Sequence, residues 1–353
     1  VYKRQVVASP FSRALVQRFG VRRVLVLAAL PTLVSHVGLY LADTAQEIIF
    51  WRTVTGFGYA FVTLACQDYV LDSVSRNERD RSLGMFTRVL IGGVFAGAAL
   101  GGVLADRLGQ QNVFLISASL VAVSALLAMW FVAPGAASSG SPTENLKITR
   151  LLSTFRSARF SALVLGLALP ANVLLQAFIS YLLALTLDSL GASTSDIGRM
   201  LMLYFLGIIV ISSLSGRAAE AGLSVGLLAL LGSLLAGVAL TAVALWPTEI
   251  TIAIAVLGAG IGHGVVRGAQ VSLAMIIAET ELSEAGPTAV LGALRLTERL
   301  GSVAGLLLVA AVAGYSGYSA ATAVVAVWTL VGAGIFAVYF LGQRRPVGAE
   351  VAG

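Results

Sequence analysis

Charge, thiols and imidazoles are all scarce in this chain, and each scarcity excludes a chemistry. Only 11% of the 353 residues are Asp, Glu, Lys or Arg, with one cysteine and two histidines. The lone thiol, Cys66, cannot form an intrachain disulfide, and without a CxxC pair the cysteine metal centres drop out. His36 and His263 lie on distant segments and make no metal set. There is no HExxH helix, no GxSxG elbow and no glycine loop opening a helix after a strand. The sequence therefore reads as no enzyme, and neither a metal nor another cofactor is expected.

What the chain has in abundance is apolar surface. Its hydrophobic fraction is 58% and its mean hydropathy is +0.92. A soluble domain cannot hide that much, so the helices must face lipid or one another. A span takes about 20 apolar residues, and about ten such stretches follow one another, the first near 21–42 and the last near 317–341. Gly, Ala and Leu dominate and strand-like alternation is missing, which argues against a lipid-facing barrel. The expected fold class is all-α, a polytopic membrane helical bundle.

The net charge of +6 has a topological meaning rather than a nucleic-acid partner, because the arginines occupy alternate loops. Arg13, Arg18, Arg22 and Arg23 precede the first span, and Arg76, Arg79 and Arg81 follow the second. Lys147, Arg150, Arg156 and Arg159 lie after the fourth, and Arg344 and Arg345 end the chain. The intervening loops carry mostly Asp43, Glu47, Asp188, Asp196 and Glu249. Positive charge stays inside, so both ends of the chain are expected on the cytoplasmic face of the cell (inner) membrane. One turn on that face disagrees: Glu279, Glu281 and Glu284 make it acidic. Acidic residues carry little topological weight, so the assignment stands as an expectation.

Two patterns divide the chain into halves. The stretch from Pro134 to Thr149, PGAASSGSPTENLKIT, has the composition of a linker. Gly84, Gly93, Gly97, Gly101 and Gly102 form a ladder inside one apolar run, and Gly292, Gly301 and Gly305 repeat its spacing later. Gly93, Gly97 and Gly101 fall four apart on one helix face, a spacing that lets another backbone approach closely. A constant offset lays Leu83-Gly84 on Leu291-Gly292. The expected division is a first half-bundle over 1–133, a linker over 134–159 and a second half-bundle over 160–345. The chain opens at Val1 without a methionine, and equal halves would place two further spans before it.

These motifs, in this order, resemble the major facilitator superfamily over nearly the whole chain. Arg52-Thr-Val-Thr-Gly56-Phe-Gly58 resembles that family's arginine-and-glycine motif on helix four. The series from Gly84 to Gly102 resembles its helix-five antiporter motif, G(x8)G(x3)GP(x2)GG, with Ala98 where the family has proline. Arg13 to Arg23, RALVQRFGVRR, is similar to the loop motif G-x-L-A-D-R-x-G-R-R, with Arg13 for glycine and Gln17 for aspartate. Gly216-Arg217-Ala-Ala-Glu220-Ala-Gly222 is its shorter counterpart in the second half. Gly102 to Gly109, GVLADRLG, copies the motif better, but Asp106 and Arg107 cancel in charge, so it reads as the end of a helix.

The resemblance implies two six-helix halves, the first two helices lying outside this chain, and a central substrate cavity opened to either side in turn. It implies secondary transport, with proton-coupled export of a small organic molecule leading. A symporter or facilitator of a small, anionic metabolite is the alternative. A membrane sensor module or an intramembrane enzyme ranks below both. The implied partners are a small-molecule substrate, a coupling proton and the lipid bilayer, with no nucleic acid.

A charge inside a span costs at least about 2.5 kcal/mol on insertion scales, so each polar group there needs a use. Arg52, on the motif position, either modulates a proton-carrying acid or snorkels to the outer headgroups. Asp68 and Arg88 enter from the inner side on successive helices and suit either an ion pair or proton carriage. His263, Arg267 and Gln270 recur at one-turn spacing among glycines, fit to bind an anionic group or to hydrogen-bond a neighbouring helix. Asn172 and Gln176 follow Pro170 and either orient substrate or join helices. Arg295, Glu298 and Arg299 are close enough along one helix to satisfy each other. Tyr59, Tyr181 and Tyr204 suit cavity walls or ordinary packing.

Overall fold

The computed structural model describes residues 18–75, 78–132, 148–220 and 222–341. The chain forms two units, Val1–Pro142 and Thr143–Gly353. Residues 13–17 of the degraded loop motif lie outside the described residues, as does the segment 133–147.

In the first unit α1 is Val21–Tyr40, α2 Ala45–Ser73, α3 Arg79–Leu108 and α4 Gln110–Phe131. The sequence sets these ends locally. Thr44 caps α2 by accepting from the Glu47 N–H at 3.3 Å, while Glu47 reaches back to the Asp43 N–H at 3.0 Å. Gly109, at φ 85°, closes α3 and opens α4 in a single step. The segment 102–109 is thus a helix end with its glycine cap, as its balanced charges suggest. α1 packs against α2 and α4. In the α1–α2 seam Gly38 lies under the Trp51 ring and Gly58 against Thr32, with Ser35 Oγ and Thr55 Oγ1 2.8 Å apart.

Among the described residues, no atom of a neighbouring element lies within 4 Å of the position a Cβ would take at Gly93, Gly97 or Gly101 of α3. The echo in the second unit is filled: Leu169 stands against Gly301 and Val173 against Gly305.

The second unit starts earlier than the linker boundary suggests. A short helix, Ile148–Ser153, and a 3-10 turn, Thr154–Arg156, lead into the first long helix, with Thr154 buried and Leu151 packed on the core. The long helices are α5 Ala158–Ser189, α6 Thr194–Glu220, α7 Val225–Leu245 and α8 Glu249–Thr280. The helical run that follows bends at Gly317, φ 83°, which separates α9 (287–316) from α10 (318–341). Its apolar part covers 52 residues, more than twice a membrane crossing, so the bend makes two spans of it. Eight stretches among the described residues, this one included, are long and apolar enough to span.

Two parts of α5 are wound as π-helix, Val164–Ala168 and Leu174–Leu182, on either side of Pro170. Proline supplies no N–H to the preceding turn, and such wide turns absorb the mismatch. α8 runs between α6 and α7 and touches both through glycine. A methyl at Gly232 of α7 would sit 2.8 Å from the Gly262 carbonyl oxygen of α8. Two backbones meet there with nothing between them.

That contact generates a paired prediction. Gly262→Ala is expected to cost about 1–3 kcal/mol, since its methyl must displace the Gly232 backbone. Gly97→Ala is expected to be neutral or to stabilise by up to about 1 kcal/mol, the helix-propensity gain with nothing to hit. Thermal unfolding of the two variants in detergent checks this, and equal midpoints would contradict it.

Candidate functional site

In the first unit, Arg52 is the predicted polar site residue whose side chain is described. Arg52 is exposed on α2, its guanidinium carbon 5.5 Å from the centroid of Phe114 on α4, a cation–π contact. Gly56 and Gly58 are buried on the same helix. Asp68 and Arg88 belong to α2 and α3, but their side chains lie outside the described residues, as do the surroundings of Gly84. A groove of about 520 Å³ opens between α1, α2 and α4, lined among others by Thr32, His36, Tyr59, Cys66 and Ser124. His36 is anchored there, Nδ1 lying 2.7 Å from the Thr32 carbonyl oxygen one turn back.

In the second unit the group on α8 splits by burial. His263 is 2% exposed, packed edge-on against Tyr204 with ring centroids 5.9 Å apart, and neither ring nitrogen has a hydrogen-bond partner among the described residues. Tyr204 is itself fully buried, so it walls no open cavity in this unit. Arg267, one turn on, is exposed. The three residues therefore do not present one accessible face, because α8 is enclosed by α6 and α7 along the side that carries His263. On α5, Asn172 and Gln176 are half-buried, and Asn172 donates to the Ala168 carbonyl at 2.8 Å. That bond uses one amide proton and leaves the rest of the side chain for another partner.

Gln270 is also 2% exposed and reaches across to α9, where its Nε2 donates to Glu298 Oε1 at 2.6 Å. Arg295 completes the arrangement from one turn earlier on α9, with Nη1 2.9 Å from Glu298 Oε2. Sequence spacing gives the Arg295–Glu298 pair but not the amide from α8. Glu298 therefore belongs with the site residues. The available signal was its placement about 16 Å, eleven residues, inside the start of α9, where an acid must have partners.

The acidic turn also has a physical account. Glu281, just past α8, accepts from Ser157 Oγ at 2.6 Å and pairs with Arg159 at 3.3 Å. Arg159 also lies over the Phe340 ring, 5.0 Å from its centroid. Ser157 meanwhile caps α5, accepting from the Phe160 N–H at 3.1 Å. Glu281 thus holds the basic entry of α5, a structural duty for an acid in this turn.

A sequence model of the Major Facilitator Superfamily matches residues 5–286. The multi-drug resistance efflux pump PmrA of Streptococcus pneumoniae is 24% identical over 214 residues, 58% of this chain and 49% of that protein. Multidrug resistance protein MdtG of Citrobacter koseri is 31% identical over 125 residues, 35% of this chain and 30% of that protein. The chain thus spans about half the length, or less, of these curated relatives. The crystal structure of the human organic anion transporter MFSD10 (TETRAN) superposes with a TM-score of 0.60 at 19% identity, covering 94% of this chain and 81% of that one. At that identity the likeness is one of fold.

The entry of α5 supplies a stability test. Ser157→Ala removes both the cap and the bond to Glu281 and is expected to cost about 1–2 kcal/mol. Glu281→Gln keeps an acceptor for Ser157 and is expected to cost less than about 1 kcal/mol. Unfolding midpoints in detergent measure both, and an unchanged Ser157→Ala midpoint would contradict the assignment.

Proposed function

Starting from the fact that this chain belongs to the major facilitator superfamily, we propose that the protein is a secondary transporter that exports small organic molecules in exchange for protons. The family and the relatives indicate a transporter rather than an enzyme. One observation carries the reading. The family match runs from residue 5 to residue 286, through both units and the segment joining them, and the relatives that align over part of it are named as multidrug efflux pumps. The helix-five glycine series supports export. Ala98 in place of proline fits the unbroken course of α3 from Arg79 to Leu108, so any bending there has to come from glycine.

The rest of the reading follows from the same frame. Two half-bundles, 1–133 and 160–345, joined over 134–159, work by alternating access with both ends on the cytoplasmic side of the inner membrane. Within the second unit, Arg267, Asn172 and Gln176 are the groups a substrate reaches directly, with His263 and Gln270 behind them. Arg52, Asp68 and Arg88 serve coupling or gating. A second reading, transport of an organic anion, is favoured by Arg267 alone, an exposed cation with no ion-pair partner among the described residues.

Efflux of ethidium from bacteria lacking their own major pumps tests the proposal. Cells expressing the full-length protein are expected to lose the dye faster than control cells, and a protonophore is expected to abolish the difference. Equal rates would contradict export. Arg267→Ala is expected to abolish transport at unchanged membrane abundance, whereas wild-type flux in that variant would make Arg267 a structural residue. Faster uptake of a fluorescent organic anion, with no effect on ethidium, would favour the second reading.

A further inference from the structure

Glu298 is a carboxyl group in a place that makes its protonation state consequential. It is 6% exposed, about 16 Å along α9 from the helix start, inside a stretch apolar enough to span. A charge at that depth has to be held by partners. Among the described residues two side chains hold it: Gln270 Nε2 at 2.6 Å on Oε1, and Arg295 Nη1 at 2.9 Å on Oε2 and 3.3 Å on Oε1.

The other groups around it narrow the chemistry. On its own helix Arg299 is the next cation; on α8 Arg267 lies one turn before Gln270 and is exposed. α5 and α10 bring no acidic or basic side chain between 160 and 187 or between 318 and 341, and the Tyr181 phenol of α5 is several turns away along that helix. α7 brings none between 225 and 245. His263 has no hydrogen-bond acceptor among the described residues, so nothing near it would hold an imidazolium. Among the described residues of the second unit, Glu298 is the buried carboxyl group within a span.

The two partners respond differently when it does. An amide carries a donor and an acceptor on one pivot. Gln270 Nε2 donates to the carboxylate; turned over, Gln270 Oε1, now buried with no partner, accepts from the carboxyl O–H. The α8–α9 bond therefore survives in both states. Arg295 has no such option. It loses its counter-charge on protonation, and its side chain, 42% exposed, can turn to water or to an anionic group.

We propose that Glu298 is a reversible proton-binding site within the membrane, with Gln270 as its two-state hydrogen-bond partner and Arg295 as the cation that protonation releases. A hydronium ion gives its proton to a carboxylate oxygen: one hydronium O–H bond breaks, the carboxyl O–H bond forms, and a neutral water is left. This site rests on the reading of the protein as proton-coupled, which it deepens by naming where a proton binds.

Infrared difference spectroscopy between acid and alkaline pH, on the full-length protein reconstituted in lipid, tests the site without any substrate. A protonated-carboxyl C=O band is expected that vanishes in Glu298→Gln and changes frequency in Gln270→Leu. Should Glu298→Gln not accumulate, Glu298→Asp keeps a carboxyl group and is expected to shift the same band. A spectrum unchanged in these variants would overturn the proposal. Ethidium transport driven by a pH gradient is expected to fall at least about tenfold in Glu298→Gln, which is about 1.4 kcal/mol of coupling. Intact gradient-driven transport in that variant would overturn the site and leave the proposed function standing. A wild-type protein that shows the band but moves dye without regard to the gradient would support the site and defeat the function.

Discussion

Inside a bilayer there is no water to drive apolar helices together, so helices associate where their surfaces fit closely enough for dispersion and polar contacts. In the second unit that fit comes from glycine at helix crossings. Gly232 meets Gly262 backbone to backbone, and Gly166 of α5 meets Gly332 of α10 in the same way. Because these helices touch along their main chains, their side chains are held at short, fixed separations. The burial of His263 against Tyr204, where Gly260 lets the α6 backbone in, is one result.

The same constraint separates the structural polar groups from those that can work. Ser157, Arg159 and Glu281 lie where α5 begins and α8 ends, and an ion pair as exposed as theirs contributes modestly. They fix where α5 begins. Glu298 lies deep in the unit, where removing Arg295 leaves an uncompensated charge and removing Gln270 leaves a carboxylate oxygen short of a donor. The proposal for Glu298 rests on this difference: its two partners, Gln270 and Arg295, are both supplied by the protein interior.

Much of this architecture was legible in the sequence, because length and hydropathy alone locate a spanning helix. The break between α9 and α10 falls at Gly317, where the apolar run is interrupted, and GVLADRLG ends α3 as its cancelling charges suggested. What spacing cannot supply is the neighbour. The ladders of α3 and α9 look alike on paper, yet only Gly301 and Gly305 have side chains seated on them among the described residues. His263, Arg267 and Gln270 share a helical repeat, but burial divides them because α6 and α7 enclose one side of α8. Glu298 read as the intrahelical partner of Arg295, since an amide on another helix leaves no mark in local sequence. The π turns of α5 and the short helix at Ile148–Ser153 escaped for the same reason: both depend on what they pack against.

The most direct test of the account is whether substrate and proton movements are linked. Liposomes containing the full-length protein and an entrapped pH-sensitive dye can be given a gradient of ethidium while internal pH is recorded. Proton-coupled export predicts that ethidium moving one way carries protons the other, giving a pH change that protein-free liposomes lack. Ethidium crossing with no change in pH would contradict the central claim.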